Sequence, residues 1–338
     1  MGFQVTFEPG KQRIQVAADE TVLDAALRQG FGLPYDCRSG RCGSCRATLL
    51  DGEIDYLKPP TALLDEAVPA PSTILLCCAR ARSDLVLDCP QVVRRVGPPP
   101  TTFPARVHRL HRVAPDVMIV ELKISAPGWS FVAGQYVDIL LPEGRRRAFS
   151  LASRPRGDGI LELHIRRIAG GRFTGHVFEA MKERDILRLR GPLGRFFLRQ
   201  DSEKPALLVA GGTGFAPIKA IIEESIARGS RRPLHLFWGA RDVAGLYLGQ
   251  LAEQWAIDHT NMRFTPVLSD SPDAERWCGR RGLVHEAVLA DCPDLSGNQV
   301  YVCGAPAMIE VARRDFIARG RLPVEEFFAD AFDFADDP

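Results

Sequence analysis

Apolar and polar positions alternate from the start of the chain. VTFEPGKQRIQVA (5–17) reads as two strands around a Pro-Gly turn, and TVLDAALRQG switches to a helical period starting near Thr21. GPPPTTFP (97–104) has no apolar period and marks a break. From Ala105 to about Arg199, ARVHRLHRV, VMIVELKI, QYVDILL, AFSLAS and ILELHIRRI alternate, with turn residues between them, which predicts an antiparallel barrel. One helix is expected near Thr174–Lys182. From Pro205 onward the pattern changes again. The short apolar runs ALLVA, LHLFWGA, RFTPVLS and QVYVCG alternate with the helical segments IKAIIEESIARG and MIEVARRDFIARG. That alternation predicts a parallel α/β sheet.

A chain of 338 residues fits this division into several domains. The boundaries expected are 1–92, a Pro-rich linker 93–104, 105–200 and 201–338. Hydrophobic residues make up 46 % and charged residues 25 %, both ordinary for globular protein. Net charge is +1, but residues 1–90 carry −3, 101–200 carry +9 and 201–338 carry −7. A basic middle third suits an anionic ligand there or attraction between domains. No basic and aromatic stripe of the nucleic-acid-binding kind occurs. No apolar run approaches the ~20 residues of a membrane span, and MGFQVTFEPGKQ has no signal pattern. These features predict a cytoplasmic protein, monomeric on its own. Nine cysteines in that setting point to metal ligation or burial rather than disulfides.

Cys37, Cys42 and Cys45 stand at C-x4-C-x2-C, and STILLCCARA supplies Cys77 or Cys78 as a fourth thiol. This is the spacing of a plant-type [2Fe–2S] centre, in which one tight loop and one distant strand bring four thiolates to two irons. Ser39, Gly40, Gly43 and Ser44 let the loop wrap and turn N–H groups toward sulfur. Zinc prefers two close ligand pairs and suits the pattern poorly. Adjacent strand residues face opposite ways, so only one of Cys77 and Cys78 is expected to reach the centre. Cys89, Cys278 and Cys292 have no partner pattern and read as structural.

In ALLVAGGTGFAPIKAI a glycine-rich turn joins a buried strand to a helix. Gly211, Gly212, Thr213 and Gly214 bring backbone close to a pyrophosphate, and Pro217 sits in the first helical turn. The Gly170–Gly171 pair precedes a helix that Thr174 can cap, which makes a second anion site.

These motifs together resemble the ferredoxin–NADP reductase superfamily. Arg147-Ala148-Phe149-Ser150 is similar to its R-x-(Y/F)-S, Gly170-Gly171-Arg172-Phe173-Thr174 to its G-G-x-x-(S/T), the glycine-rich turn to its G-G-T-G-x-A-P, and Cys303-Gly304-Ala305-Pro306-Ala307-Met308 to its C-G-x-P-x-M. The resemblance covers nearly the whole chain. It implies an α+β ferredoxin (β-grasp) domain, an antiparallel β-barrel FAD domain and an α/β parallel-sheet NAD domain. It also implies that Arg147 meets the FAD pyrophosphate, that Phe149 packs on the flavin, and that Ser150 bonds near flavin N5. His164, Ile165 and Arg166 then contact the flavin largely through backbone, Cys303 helps to position the nicotinamide, and Cys77 is the fourth cluster ligand. Phe328 and Phe332 near the C-terminus either cover the flavin face or simply dock the tail. NADPH-using relatives tend to carry arginine where Asp270 follows Ser269. A carboxylate there accepts from a ribose 2′-OH and repels a 2′-phosphate, so NADH is expected; Arg241 lies near the same end and suits either dinucleotide. The arrangement resembles CDP-6-deoxy-Δ3,4-glucoseen reductase-like proteins and reductase components of multicomponent oxygenases. It implies an enzyme that passes electrons from NADH through FAD and [2Fe–2S] to a protein acceptor, an oxygenase component or a dehydrase. Ser150 and Cys303 are the candidate catalytic residues.

Overall fold

The first alternating segment forms β1 (Gly2–Glu8) and β2 (Gln12–Ala17), paired antiparallel with Val5 opposite Ile14. Val5, Phe7, Ile14 and Val16 share one face, and none is more than 1 % exposed. Helix α1 (Val22–Arg28) begins where the pattern predicts, because the Thr21 hydroxyl accepts from Asp24 N at 3.1 Å. The computed structural model describes residues 2–35, 38, 40, 43–56, 60, 72–94, 97–270, 277 and 279–332. Within them follow β3 (Phe31–Gly32), β4 (Arg46–Asp51), β5 (Ile54–Tyr56), β6 (Thr73–Leu75), β7 (Ala79–Ala81), β8 (Leu85–Asp88) and β9 (Val93–Arg94). β8 runs parallel to β1 and gives the mixed sheet order β2-β1-β8-β4-β6, while β3 pairs with β9 and β5 with β7. The segment 93–104, read as a linker, is therefore strand at both ends, in β9 and in the start of the long strand Thr101–Ala114. Residues 1–101, with 129–131 and 191–195, make one of two compact units.

The second unit holds the barrel and the α/β sheet. Barrel strands are β10 (Thr101–Ala114), β11 (Val117–Ile124), β12 (Tyr136–Leu140), β13 (Arg146–Ser150), β14 (Ile160–Arg166) and β15 (Ile186–Leu193), in the order β13-β12-β15-β10-β11-β14. A bridge between Leu151 and Leu163, with Ala152 N donating to Glu162 O at 2.8 Å, joins the two outer strands. β15 adds a sixth strand to the five expected. Its alternation is short: buried Leu189 sits between exposed Arg188 and half-buried Arg190, and a Gly-Pro pair follows at once. The barrel helix α2 spans Arg172–Glu179.

Strands and helices then alternate: β16 (Ala206–Gly211), α3 (Phe215–Ala227), β17 (Leu234–Ala240), α4 (Gly249–Asp258), β18 (Met262–Leu268), β19 (Arg280–Arg281), α5 (Val284–Asp291), β20 (Gln299–Gly304), α6 (Pro306–Ala318) and β21 (Phe327–Ala331). All run parallel, in the order β19-β18-β17-β16-β20-β21. Phe215, Ile218, Trp238 and Tyr301 fill one face of the sheet, and Phe237, Val288, Val302 and Phe316 fill the other. The central strands are accordingly largely apolar rather than alternating, with His235 on β17 and Gln299 on β20 as the polar positions. The aromatic tail supplies a sixth strand: Phe328 stacks on Tyr301 with ring centroids 4.8 Å apart and lies under the Arg199 guanidinium. These contacts pack Phe328 against the sheet. No helix among the described residues is long and apolar enough to cross a membrane.

Candidate redox and nucleotide site

The glycine-rich turn lies at the carboxyl end of β16, beside the carboxyl end of β20. Gly212 has φ +53°, a conformation few side chains tolerate. A Cβ on Gly214 would lie 2.1 Å from Cys303 O, so backbone meets backbone there. Met308 packs beneath Gly211 and Gly304, where an added Cβ would meet its sulfur or methyl within 2.9 Å, and Pro306 opens α6. Met308 thus shapes the turn from below. Trp238 Nε1 donates to Gly212 O at 2.9 Å and stacks on Phe215 at 3.8 Å, which fixes the peptide that carries the turn. Pro217 is in the first turn of α3, as expected.

Arg166 ends β14 with its guanidinium over this turn, at 3.4 Å from a Cβ built on Gly212. Its Nη1 lies 3.4 Å from Asp116, whereas Nε and Nη2 are buried with no hydrogen-bond acceptor among the described residues. Buried donors of this kind require a partner, which an anionic diphosphate held on the turn would supply. The side chain of Arg166 is therefore a fuller candidate than its backbone. His164 and Ile165, next on the strand, are 5 % and 1 % exposed and offer a ligand no side-chain surface.

On β13 the period of two places Arg147 and Phe149 on one side and Ala148 on the other, with Phe149 5.6 Å from Phe173. Gly170, Gly171 and Arg172 form the start of α2, whose first N–H groups have no helical acceptors. Thr174 does not cap this helix. The helix starts at Arg172, so Thr174 falls inside the first turn, where its hydroxyl accepts from Ile168 N at 3.1 Å and donates to Gly171 O at 3.2 Å. The amides of α2 and the guanidinium of Arg147 fit a diphosphate such as that of FAD.

Ser150, at the end of β13, reaches the α/β sheet. Its Oγ lies 3.3 Å from Asp330 Oδ2, and the Cys303 thiol lies 3.9 Å from the same oxygen. Asp330 is on β21 directly beside Cys303 on β20. All three side chains are buried. Asp330 carries no family motif; its only sign in the sequence is a single carboxylate inside FFADAF. Phe332 follows β21, with its N–H bonded to Gly304 O at 2.9 Å and its ring half-buried.

At the far end of the sheet, Asp270 N donates to Arg241 O and Ser269 N to Ala240 O, each at 2.9 Å. Asp270 and Arg241 are thus neighbours at the carboxyl ends of β18 and β17, and both are exposed.

In the first unit Cys45 is 2 % and Cys77 8 % exposed. Cys37 and Cys42 lie outside the described residues. Hydrogen bonds from the thiols of Cys45 and Cys78 outweigh burial and, with the Gly40 N–H and the charge of Arg38, hold the Cys77 thiol down to about 3. A buried thiolate prepared in this way suits metal ligation. Arg38, which has no motif to announce it, is buried and bonded to Asp24 of α1 at 2.7 Å. The alternation argument for Cys77 against Cys78 fails. Residues 76–78 form a turn between β6 and β7, closed by Cys78 N to Leu75 O at 3.0 Å, and the two sulfurs lie 3.5 Å apart on the same side. Gly40 takes φ +81°, and a Cβ there would come within 2.8 Å of Cys78 Sγ.

Comparison with known proteins agrees with this layout. Residues 5–82 match the 2Fe-2S iron-sulfur cluster binding domain, 104–198 the oxidoreductase FAD-binding domain and 208–314 the oxidoreductase NAD-binding domain. The chain is 39 % identical over 333 residues to CDP-6-deoxy-L-threo-D-glycero-4-hexulose-3-dehydrase reductase of Yersinia pseudotuberculosis, covering 98 % of this chain and 99 % of the relative. It is 35 % identical to reductase component 2 of terephthalate 1,2-dioxygenase of a Comamonas species, covering 98 % of each. The crystal structure of Amycolatopsis cytochrome P450 reductase GcoB superposes with a TM-score of 0.85 at 35 % identity, covering 99 % of this chain and all of that one. The three domain matches follow one another along the chain and the relative is matched over nearly its full length, so this protein belongs to the iron–sulfur flavoprotein reductases, the family that joins a 2Fe-2S domain to FAD- and NAD-binding oxidoreductase domains.

Proposed function

We propose that this chain oxidises NADH and delivers single electrons to a separate oxygenase or hydroxylase component. The observation that carries this is the meeting of Ser150, Cys303 and Asp330 where the barrel touches the carboxyl edge of the parallel sheet. Bound FAD supplies the conversion between a two-electron donor and a one-electron [2Fe–2S] acceptor. The chain's own residues do the rest. Arg147 and the first amides of α2 hold the flavin diphosphate. Gly212, Gly214 and the free N–H groups of Arg166 hold the dinucleotide diphosphate. Cys303 and Phe332 flank the nicotinamide. Asp330 orients the Ser150 hydroxyl by accepting its proton in a hydrogen bond. Cys37, Cys42, Cys45 and Cys77 hold the cluster, and the protein works as a monomer with no nucleic-acid role.

A second reading is supported by the 39 % identity to a hexulose-dehydrase reductase: the acceptor is a dehydrase acting on a nucleotide-linked deoxysugar. Both readings predict about two irons and one FAD per chain. Both predict NADH-dependent reduction of ferricyanide directly from flavin, and of cytochrome c only with the cluster present. Full cytochrome c reduction by cluster-free protein would defeat the proposed chain of transfer. Reconstitution with an oxygenase component and, separately, with a dehydrase decides between the acceptors.

A further inference from the structure

Lys219 is on α3, five residues beyond Gly214, and only 6 % of it is exposed. Its ammonium has three acceptors for three protons: Glu223 Oε1 at 2.6 Å, Glu162 Oε1 at 3.0 Å and Ala152 O at 3.1 Å. Glu223 lies one turn further along α3 and accepts from Arg154 N at 3.3 Å. Glu162 and Ala152 belong to the barrel: Glu162 is on β14 and Ala152 is two residues past Ser150. Glu162 also lies 2.9 Å from His164 Nε2, and His164 Nδ1 lies 2.8 Å from Tyr247 Oη, back on the α/β side. The carboxylate can only accept, so Nε2 carries the imidazole proton and Tyr247 donates to Nδ1. Each hydrogen bond of this chain therefore has a defined direction. Burying charge in this way is a poor source of stability but a strong source of geometric specificity.

We propose that Lys219 is a positioning residue for hydride transfer. It locks the start of α3, and with it the Gly212–Gly214 turn, against the barrel strands that carry Ser150 and Arg166. The separations along the chain are short on both sides. Glu162 stands four residues before Arg166 on one strand, and Lys219 stands within two turns of the glycines. A shift of α3 against the barrel thus moves the dinucleotide cradle relative to the flavin cradle. Hydride transfer requires reacting atoms about 3–3.5 Å apart, and an error near 1 Å can cost about a hundredfold in rate. Lys219 acts through the turn and the strands rather than by touching a ligand. The proposal rests on the reading above, in which NADH reduces flavin at this junction.

The test uses holoprotein with FAD and cluster in place. Lys219→Met keeps side-chain length and removes the charge. It is expected to lower kcat for NADH-dependent ferricyanide reduction by about 10- to 100-fold, to change KM for NADH by less than about threefold, and to raise the primary isotope effect with 4-deuterated NADH. Because Lys219→Met leaves Glu162 buried without its cation, Lys219→Met/Glu162→Gln provides a second protein that retains an acceptor for His164; the same kinetic loss is expected. Wild-type kcat and isotope effect in either loaded variant would show that Lys219 only stabilises the fold and would overturn the proposal. A wild type unable to oxidise NADH refutes the functional reading and the proposal with it, whereas an active wild type beside an unimpaired variant refutes the proposal alone.

Discussion

Ser150 Oγ and Asp330 Oδ2 lie 3.3 Å apart although 180 residues separate them in the chain. The bond ties the end of a barrel strand to the last strand of the parallel sheet, and the Cys303 thiol approaches the same oxygen. A hydrogen bond to a charged acceptor contributes about 1.5–3 kcal/mol, or roughly one to two orders of magnitude in rate where it is needed for the reaction. Asp330→Ala should therefore lower kcat of NADH-dependent ferricyanide reduction by about tenfold or more. Asp330→Asn retains an acceptor oxygen and should lose less. Because Ser150 and Asp330 act as a pair, Ser150→Ala/Asp330→Ala should be little worse than either single variant. Additive losses in steady-state kinetics would show that the two side chains act separately.

Cluster ligation is tested by iron content and absorbance. Cys37→Ser, Cys42→Ser, Cys45→Ser and Cys77→Ser should each lose most of the cluster iron, whereas Cys78→Ser should keep about two irons per chain. The Cys45 and Cys77 thiols are both buried and hydrogen-bonded to one another. The 3.5 Å between Cys77 and Cys78 makes the comparison a demanding one. Retention in Cys77→Ser together with loss in Cys78→Ser would assign the ligand to Cys78.

His235 provides a pH test away from the site. Its Nε2 lies 2.9 Å from Thr265 Oγ1, and its ring stacks on Phe237. Burial, and then the charge of Arg263, push its pKa down to about 4 from 6.5. Between those values the unfolded chain binds a proton that the native protein does not. Stability is therefore complete above about pH 6.5 and falls as pH drops toward 4. Full burial would make this several kcal/mol, but the ring is partly exposed, so about 1–2 kcal/mol is expected. His235→Gln should consequently lose less stability than wild type between pH 7 and pH 5, measured by urea denaturation. His164 shifts in the same direction and is present in both proteins, so the difference isolates His235. Parallel curves would show that His235 titrates normally in the fold.

Local signals made much of this molecule legible. Val5, Phe7, Ile14 and Val16 alternate inward because one face of their sheet is buried, and Thr21 caps α1 because its hydroxyl competes well for Asp24 N–H. The glycine-rich turn was readable because a Cβ at Gly214 has no room. What stayed hidden depends on distant strands meeting. Asp330 gains its role only when β21 adds beside β20, and a lone carboxylate in an aromatic run does not announce that. Glu162 and Lys219 look like ordinary surface charges until the barrel meets α3. Cys77 and Cys78 mislead because alternation holds for strands and they occupy a turn. Thr174 misleads by three residues, the difference between the cap position at Gly171 and a first-turn hydroxyl.

The dinucleotide preference follows from the exposed end of the sheet. Asp270 follows β18 beside Arg241, with the two backbones bonded at 2.9 Å, so one carboxylate and one guanidinium stand at the same edge. A carboxylate accepts from a ribose 2′-OH and repels a 2′-phosphate. The charge-assisted bond contributes about 1.5–3 kcal/mol, or about one to two orders of magnitude in kcat/KM. Both residues are exposed, so screening should bring the value toward the lower figure. Wild type should therefore favour NADH by about tenfold. Asp270→Arg should narrow or reverse the preference while the flavin spectrum stays unchanged, because the flavin cradle on β13 and α2 is built from other residues. Arg241→Ala should leave NADH use nearly intact if Asp270 is the selector. The measurement is kcat/KM for both dinucleotides at one ionic strength, in wild type and both variants. Equal use of NADPH and NADH by wild type, with NADPH use lost in Arg241→Ala, would transfer the selecting role to Arg241.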